Sequence, residues 1–418
     1  MKTRTSTLLR VPFVLAVLAL AAPASAQIAV TPALQTFAQS VMEDHPALRE
    51  AQAALESAKA HARGQAQPLY NPELEFGYED AVSETKEVGI SQTFDLGGKR
   101  GARADVADAQ VAAAQAQLAI ARKGLLTSLL MALADYQAAS DALDVAKRRV
   151  ALDQEFLNLA DRRNRAGDLP QTELLTARLT LSEARAAAST AAVAFSEAEE
   201  ALRAIVGVSA PVPELQGNAP QSVPPVNTVT IETLPEMRVA SMQAEAARSR
   251  ISVAKRNRIP DPTVGLSIGD EREFTPLGNR TSTTTYGVRL SIPIPIRNSY
   301  GAEVEAAGSD LMVAEQSMRN QRRALEARIA ASHSRLSTAI EAWREWQDSG
   351  AGSLEEQRRL LQRLWDAGEI NAVDYIIQLN QTFATERAGI ELRQRLWTTW
   401  FDWLGATAQI GEWMEITQ

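Results

Sequence analysis

The sequence predicts a mainly α-helical protein built from a duplicated unit: a helix, a strand pair, a long helix, a turn, and a long helix back. Three observations predict it. Apolar residues recur every seven positions over very long stretches. Four short segments alternate apolar with polar or small residues. Landmarks of the first half reappear, in order, about 200 residues later.

The seven-residue repeat runs through Val111, Leu118, Leu125, Leu129, Tyr136, Leu143, Val150 and Leu157, and returns through Leu174, Leu181, Ala188, Phe195 and Leu202. Such a repeat buries one stripe of each helix against its neighbours and supercoils them left-handedly. The outgoing arm, Ala102 to Arg165, would span roughly 95 Å, which suits a strut or tube wall. The turn between the arms is Ala166-Gly167-Asp168-Leu169-Pro170. Many seam positions are alanine, so close helix approach is expected.

Composition narrows the function classes. The 418 residues carry a net charge of −8, three histidines (His45, His61, His333) and no cysteine. Disulfides, thiolate metal sites and a lipid anchor on cysteine are excluded. The acidic balance gives no support for nucleic-acid binding. Lys2, Arg4 and Arg10, the apolar run Val11 to Ala22 and the small-residue site Ala24-Ser25-Ala26 read as a secretory leader over 1–26, with the mature chain starting at Gln27. No later stretch reads as apolar enough to cross a membrane as a helix, so the exported chain is expected to be either soluble or membrane-embedded through strands.

The first repeat is expected over 27–226. Thr31-Pro32 starts a helix, as cap and first helical residue, and His45-Pro46 breaks or kinks it. A hairpin follows over 72–96, with strands at Leu74–Glu79 and Val88–Phe94 and a polar linker at Asp80–Lys86. Period-two alternation means one apolar and one polar face. A soluble half-buried sheet and a membrane barrel both give this pattern. The glycines of Asp95-Leu96-Gly97-Gly98-Lys99-Arg100-Gly101 carry the chain into the helical hairpin over 102–206; they match neither the dinucleotide nor the P-loop spacing. A Pro-rich connection (Pro211, Pro213, Pro220, Pro224, Pro225) closes the repeat.

The second repeat is expected over 227–418. Leu234-Pro235 echoes His45-Pro46, and a hairpin over 262–296 holds strands Thr263–Gly269 and Tyr286–Ile292. Val88 corresponds to Val288, Ser91 to Ser291 and Gly101 to Gly301. A helical hairpin over 302–404 carries Met318, Leu325, Ile329, Leu336, Trp343 and then Phe383, Ile390, Trp397, Leu404 on its seam. Ser349–Ser353 interrupts it, and Ala367-Gly368-Glu369-Ile370 repeats the first turn before the C-terminal segment. Ordered recurrence of this kind marks an internal duplication.

An exported chain with this unit twice over, the motif Thr93-Phe94-Asp95-Leu96-Gly97-Gly98-Lys99-Arg100 and the motif Ser291-Ile292-Pro293-Ile294-Pro295 resembles the outer-membrane factor (TolC-like) family of Gram-negative efflux and secretion ducts. The first motif resembles most the heavy-metal efflux (CzcC-like) branch. The resemblance implies a homotrimer whose copies share one twelve-stranded β-barrel in the outer membrane, and whose paired helices form a periplasmic α-helical barrel. It implies a passive channel without enzymatic activity or cofactor. Its partners would be outer-membrane lipid, a periplasmic adaptor and, through the adaptor, an inner-membrane resistance-nodulation-division pump. Heavy-metal cations are the first expected cargo, with small organic compounds and secreted polypeptide as alternatives. An exported coiled-coil structural protein is the alternative from another class.

Four strands cannot close a barrel alone, and open strand edges are not tolerated in lipid, so a membrane location would itself require an oligomer. In that case Leu74, Phe76, Tyr78, Val88, Ile90, Phe94, Val264, Leu266, Ile268, Val288 and Leu290 would face lipid, with Glu75, Glu79, Ser91, Ser267 and Arg289 facing the lumen. By the resemblance, the turns at Gly167-Asp168 and Gly368-Glu369 form the periplasmic mouth and meet the adaptor. Asp374 stands where relatives carry an acidic ring that narrows the mouth; Glu173 is its repeat partner, and Ile377 replaces a second acid. Arg162, Arg163, Arg165 and Arg178 read as surface charges, and Trp397, Trp400, Trp403 and Trp413 as packing of the helical body. Nothing in the sequence sets out a metal site or a nucleophilic triad.

Overall fold

A computed structural model describes residues 30–81, 83–207, 212–215, 220–225, 229–274, 280–348 and 354–416. The expected leader and the expected interruption at Ser349–Ser353 lie outside these residues, as does part of the Pro-rich connection.

The first half contains α1 (Pro32–Asp44), α2 (Pro46–Gln65), β1 (Glu73–Asp80), β2 (Ser83–Thr93), α3 (Lys99–Ala166) and α4 (Gln171–Val206). The second contains α5 (Pro235–Arg256), β3 (Thr263–Phe274), β4 (Arg280–Ser291), α6 (Gly301–Asp348), α7 (Leu354–Asp366), α8 (Ala372–Ala406) and α9 (Ile410–Trp413). The Thr31 hydroxyl accepts from the Leu34 N–H at 3.4 Å and caps α1. His45 is a full break: it ends α1, and its ring nitrogen accepts from the Ala47 N–H at 3.2 Å to start α2.

α3, with 68 residues, is the axis of the molecule, packed along α2, α4, α5 and α8. It corrects one expectation. An 18-residue window of α3 reaches a mean hydropathy of 1.3, apolar enough by composition to cross a membrane. The apolarity has another cause here, because four helices surround it and it supplies both cores of the helical body. One core gathers Leu126, Leu129, Leu130 and Leu133 of α3 against α1, α6 and the tryptophans of α8. Trp397, Trp400 and Trp403 are buried there, and Trp413 tilts onto Phe401 at 5.6 Å, so they pack the helical body. The other core lies at the turn end of the helices, around Phe156, Trp365 and Tyr375.

The four strands form one antiparallel sheet in the order β1-β2-β3-β4. They are longer than the alternation indicated. Most of the expected polar linker Asp80–Lys86 is strand, as are residues 270–274 and 280–285. In those halves both faces are polar, so the period is invisible in the sequence. Phe94 lies just beyond β2, yet its N–H continues the ladder to the Pro262 carbonyl at 2.9 Å.

Register sets the two faces. Leu74, Ile90, Leu266 and Val288 stand side by side across the sheet, as do Phe76, Val88, Ile268 and Tyr286. Val264 and Leu290 form the next row. This face is exposed in the single chain, with Tyr286 and Val288 each 80% exposed. Toward the hairpin tips the rows turn polar, with Lys86 beside Asp270 and Lys86 also over the Tyr78 ring at 5.7 Å. The opposite face carries Glu75, Glu79, Ser91, Ser267 and Arg289; the Ser91 hydroxyl donates to Glu75 at 2.9 Å.

Candidate functional site

The two helical turns are built alike. The Asp168 N–H donates to the Arg163 carbonyl at 2.9 Å and the Gly167 N–H to Asn164 at 3.0 Å. In the second repeat the Glu369 N–H donates to Leu364 at 2.9 Å and the Gly368 N–H to Trp365 at 3.0 Å. This helix-ending motif needs a left-handed residue, and Gly167 and Gly368 supply it at φ +84° and +74°. A Cβ at either position would meet no atom within 4 Å, so the backbone angle alone calls for glycine. Gly167→Ala and Gly368→Ala are each expected to cost about 1 kcal/mol, seen as a lower unfolding midpoint in detergent. Gly64→Ala, inside α2 with equally open space, should shift the midpoint upward through helix propensity. A common sign for all three would refute the conformational account.

The helices that follow the turns start differently. Pro170 precedes α4 without a side-chain cap. Asn371 caps α8: its side-chain oxygen accepts from the Asp374 N–H at 2.8 Å, and its amide donates to the Asp374 carboxylate at 2.7 Å. Asp374 and Ile377 are exposed on the first turns of α8, and Glu173 is half-buried at the start of α4. Gly167, Asp168, Gly368 and Glu369 are all exposed.

Beneath the turns the repeats are locked together. Phe156 of α3, Trp365 of α7 and Tyr375 of α8 form an aromatic triangle with centroids 4.9 to 5.3 Å apart. Arg163 corrects its reading as a surface charge: its guanidinium lies 4.6 Å from the centre of the Trp365 ring and donates to the Trp365 carbonyl at 3.2 Å. Arg165 pairs with Asp161 one turn back, and Arg162 and Arg178 are exposed. Glu386 of α8 accepts from Arg148 of α3 at 2.7 Å and from Arg358 of α7 at 2.5 Å. Tyr375 donates to Gln362 at 2.8 Å; burial, and then the charge of Asp153, push its hydroxyl up to about 12.

Asp153 was not singled out in the sequence. It is 1% exposed, and burial pushes its carboxyl up to about 6. Arg149, 3.6 Å away, pulls it down, and Glu183 pushes it further up. Arg149 is shared with Glu183, at 3.0 Å. Among the described residues, no group of three or more His, Cys, Asp or Glu could hold a metal ion.

A family model described as outer membrane efflux protein matches residues 37–208 and 230–401, one match on each repeat. The chain belongs to the outer membrane efflux protein family. By its description, the family's members are efflux proteins of the outer membrane. The chain is 26% identical over 241 residues to the cobalt-zinc-cadmium resistance protein CzcC of Cupriavidus metallidurans, over 56% of each chain. It is 28% identical over 269 residues to the nickel and cobalt resistance protein CnrC of the same organism, over 61% of this chain and 63% of that one. The chain thus spans somewhat over half the length of the curated relatives it matches. In fold it is similar to a membrane protein from Pseudomonas aeruginosa, with a TM-score of 0.75 at 18% identity over 91% of this chain and 94% of that one. It is likewise similar to the channel protein CusC, with a TM-score of 0.73 at 14% identity over 89% and 91%.

Proposed function

We propose that this chain is the outer-membrane exit duct of a tripartite efflux system that expels heavy-metal cations. Three copies share a barrel, their long helices line a periplasmic tunnel, and the turns at Gly167-Asp168 and Gly368-Glu369 receive a periplasmic adaptor. The adaptor links the duct to an inner-membrane resistance-nodulation-division pump, which supplies the energy. One observation carries the reading: the sheet presents an apolar face while both its outer edges, on β1 and β4, lack a strand partner among the described residues. In lipid that arrangement requires further strands from other copies. The names of the similar resistance proteins favour metal cations as cargo.

Asp374 narrows the mouth in this reading. Held by Asn371 in the first turn of α8, its carboxylate is fixed, and three copies would form a ring of like charge that favours cations. Ile377, one turn on and 56% exposed, adds an apolar ring, and Glu173 a second, partly covered acid. Asp374→Asn is expected to weaken cation-over-anion preference in planar-bilayer recordings, with the oligomer intact. An unchanged preference would remove Asp374 from the constriction. The efflux role itself is tested in a strain lacking its own outer-membrane component. The wild-type chain with its pump and adaptor should restore growth in cobalt, zinc or cadmium, and a chain with a bulky residue at Gly167 and Gly368 should not. Normal resistance in that variant would refute the mouth assignment.

A further inference from the structure

The two repeats are placed equivalently in the sheet. Phe76 of β1 faces Val88 of β2, and Leu266 of β3 faces Val288 of β4, so β1 maps onto β3 at an offset of 190 residues and β2 onto β4 at 200. The β2–β3 seam is therefore the junction of a first repeat with a second, and there Ile90 faces Leu266. From this equivalence, and resting on the three-copy barrel, we propose that β4 of one copy pairs with β1 of the next in the register that sets Leu290 against Phe76, with residues 294–299 seated at the foot of β1. The same mapping sets Ile292 against Leu74 and Val288 against Tyr78, so the apolar rows continue unbroken around the ring. A slip of one residue would turn one copy's apolar row to the lumen.

The foot of β4 is already shaped for this seat. At the in-chain seam the Phe94 N–H donates to the Pro262 carbonyl at 2.9 Å, and the Leu96 N–H turns back to Phe94 at 3.1 Å. In the free copy of that segment the Ile296 N–H likewise turns back to the Ile294 carbonyl at 2.9 Å, and by the equivalence the Ile294 N–H would donate to the Pro72 carbonyl of the neighbour. Strand hydrogen bonding alternates sides. If Ile294 faces the free edge as Phe94 faces β3, Pro293 and Pro295 face away from it. The prolines therefore do not block the edge, as they would in a protected edge strand.

The side chains at the foot agree. At the in-chain seam Lys99 and Asp261 form a buried ion pair at 2.7 Å. Their counterparts across the proposed seam are Ser299 and Asn71, both neutral and both exposed in the single chain. Replacing only one charge would leave the other buried and unpaired; here both positions are neutral together.

Oxidative crosslinking reads the register directly, because the chain has no cysteine. Ser291→Cys with Glu75→Cys places the two thiols at a non-hydrogen-bonded pair, about 4.5 Å apart at Cα and within disulfide reach. Ser291→Cys with Glu73→Cys, or with Gly77→Cys, separates them diagonally, by roughly 7 to 8 Å. For each variant, light scattering in detergent under reducing conditions gives the oligomeric state. The expected result is a trimer in all three, with most of the monomer band moving into covalent dimer and trimer only for the 291/75 pair. A trimer that crosslinks through a shifted pair, or through none, overturns the register and leaves the barrel standing. A wild-type monomer in detergent overturns the barrel and the register with it.

Discussion

Lys99→Met is expected to destabilise the folded chain by about 3 to 5 kcal/mol, the range for removing one partner of a buried ion pair. Lys99 is the first residue of α3, and Asp261 lies just before β3, so the pair joins the helical body to the sheet. Their side chains are 10% and 6% exposed. One carboxylate oxygen of Asp261 accepts from Lys99 at 2.7 Å and from the Tyr70 hydroxyl at 2.6 Å, while the other has no partner among the described residues. Without Lys99 the buried carboxylate keeps only the Tyr70 phenol as a partner among the described residues. The cost should appear as a lower midpoint in unfolding of the detergent-solubilised protein. Lys99→Met combined with Asp261→Leu should recover most of the loss, since no charge is left buried. A loss below about 1 kcal/mol for Lys99→Met would mean that water reaches the pair.

Asp153→Asn is expected to act in the opposite direction, raising stability at pH 7.5 by up to about 3 kcal/mol. The carboxyl stands at about 6 in the fold against an ordinary 3.8. Between those values the folded chain holds the proton more tightly than the unfolded chain does. Stability contributed at this site is therefore full below about pH 4 and is lost as pH rises through about 6. At neutral pH the buried carboxylate is ionised at a cost that asparagine does not incur. The gain should shrink with falling pH and vanish below about pH 4, as read from unfolding midpoints across that range. Asp153→Asn would destabilise at pH 7.5 if the attraction of Arg149 outweighed burial, and that result would overturn the assignment.

The capping pair Asn371 and Asp374 shows how a site can be half legible. Asp374 stands out through the resemblance, six residues after Gly368, whereas its cap by Asn371 emerges only in the structure. The spacing says nothing of where Asp374 points relative to a second copy. Arg163 shows the opposite case: in sequence it is one of four arginines near a turn, and only the neighbouring repeat supplies the Trp365 ring it covers. Asp153 likewise reads as a polar residue on a long helix until the packing around α3 buries it.

By itself the sequence determined the duplication, the long helices, the two glycine turns and the apolar face of each strand. These follow from periods of seven and two and from left-handed glycines, which depend on residues close along the chain. The polar halves of the strands escaped, because with both faces wet no period remains to be read. The tertiary structure alone decided the pairing of Ile90 with Leu266, the burial of Asp153 and the charged joint at Lys99 and Asp261. Each depends on how far one element slides or turns against another distant in sequence, and a repeat along a single helix or strand leaves that offset free.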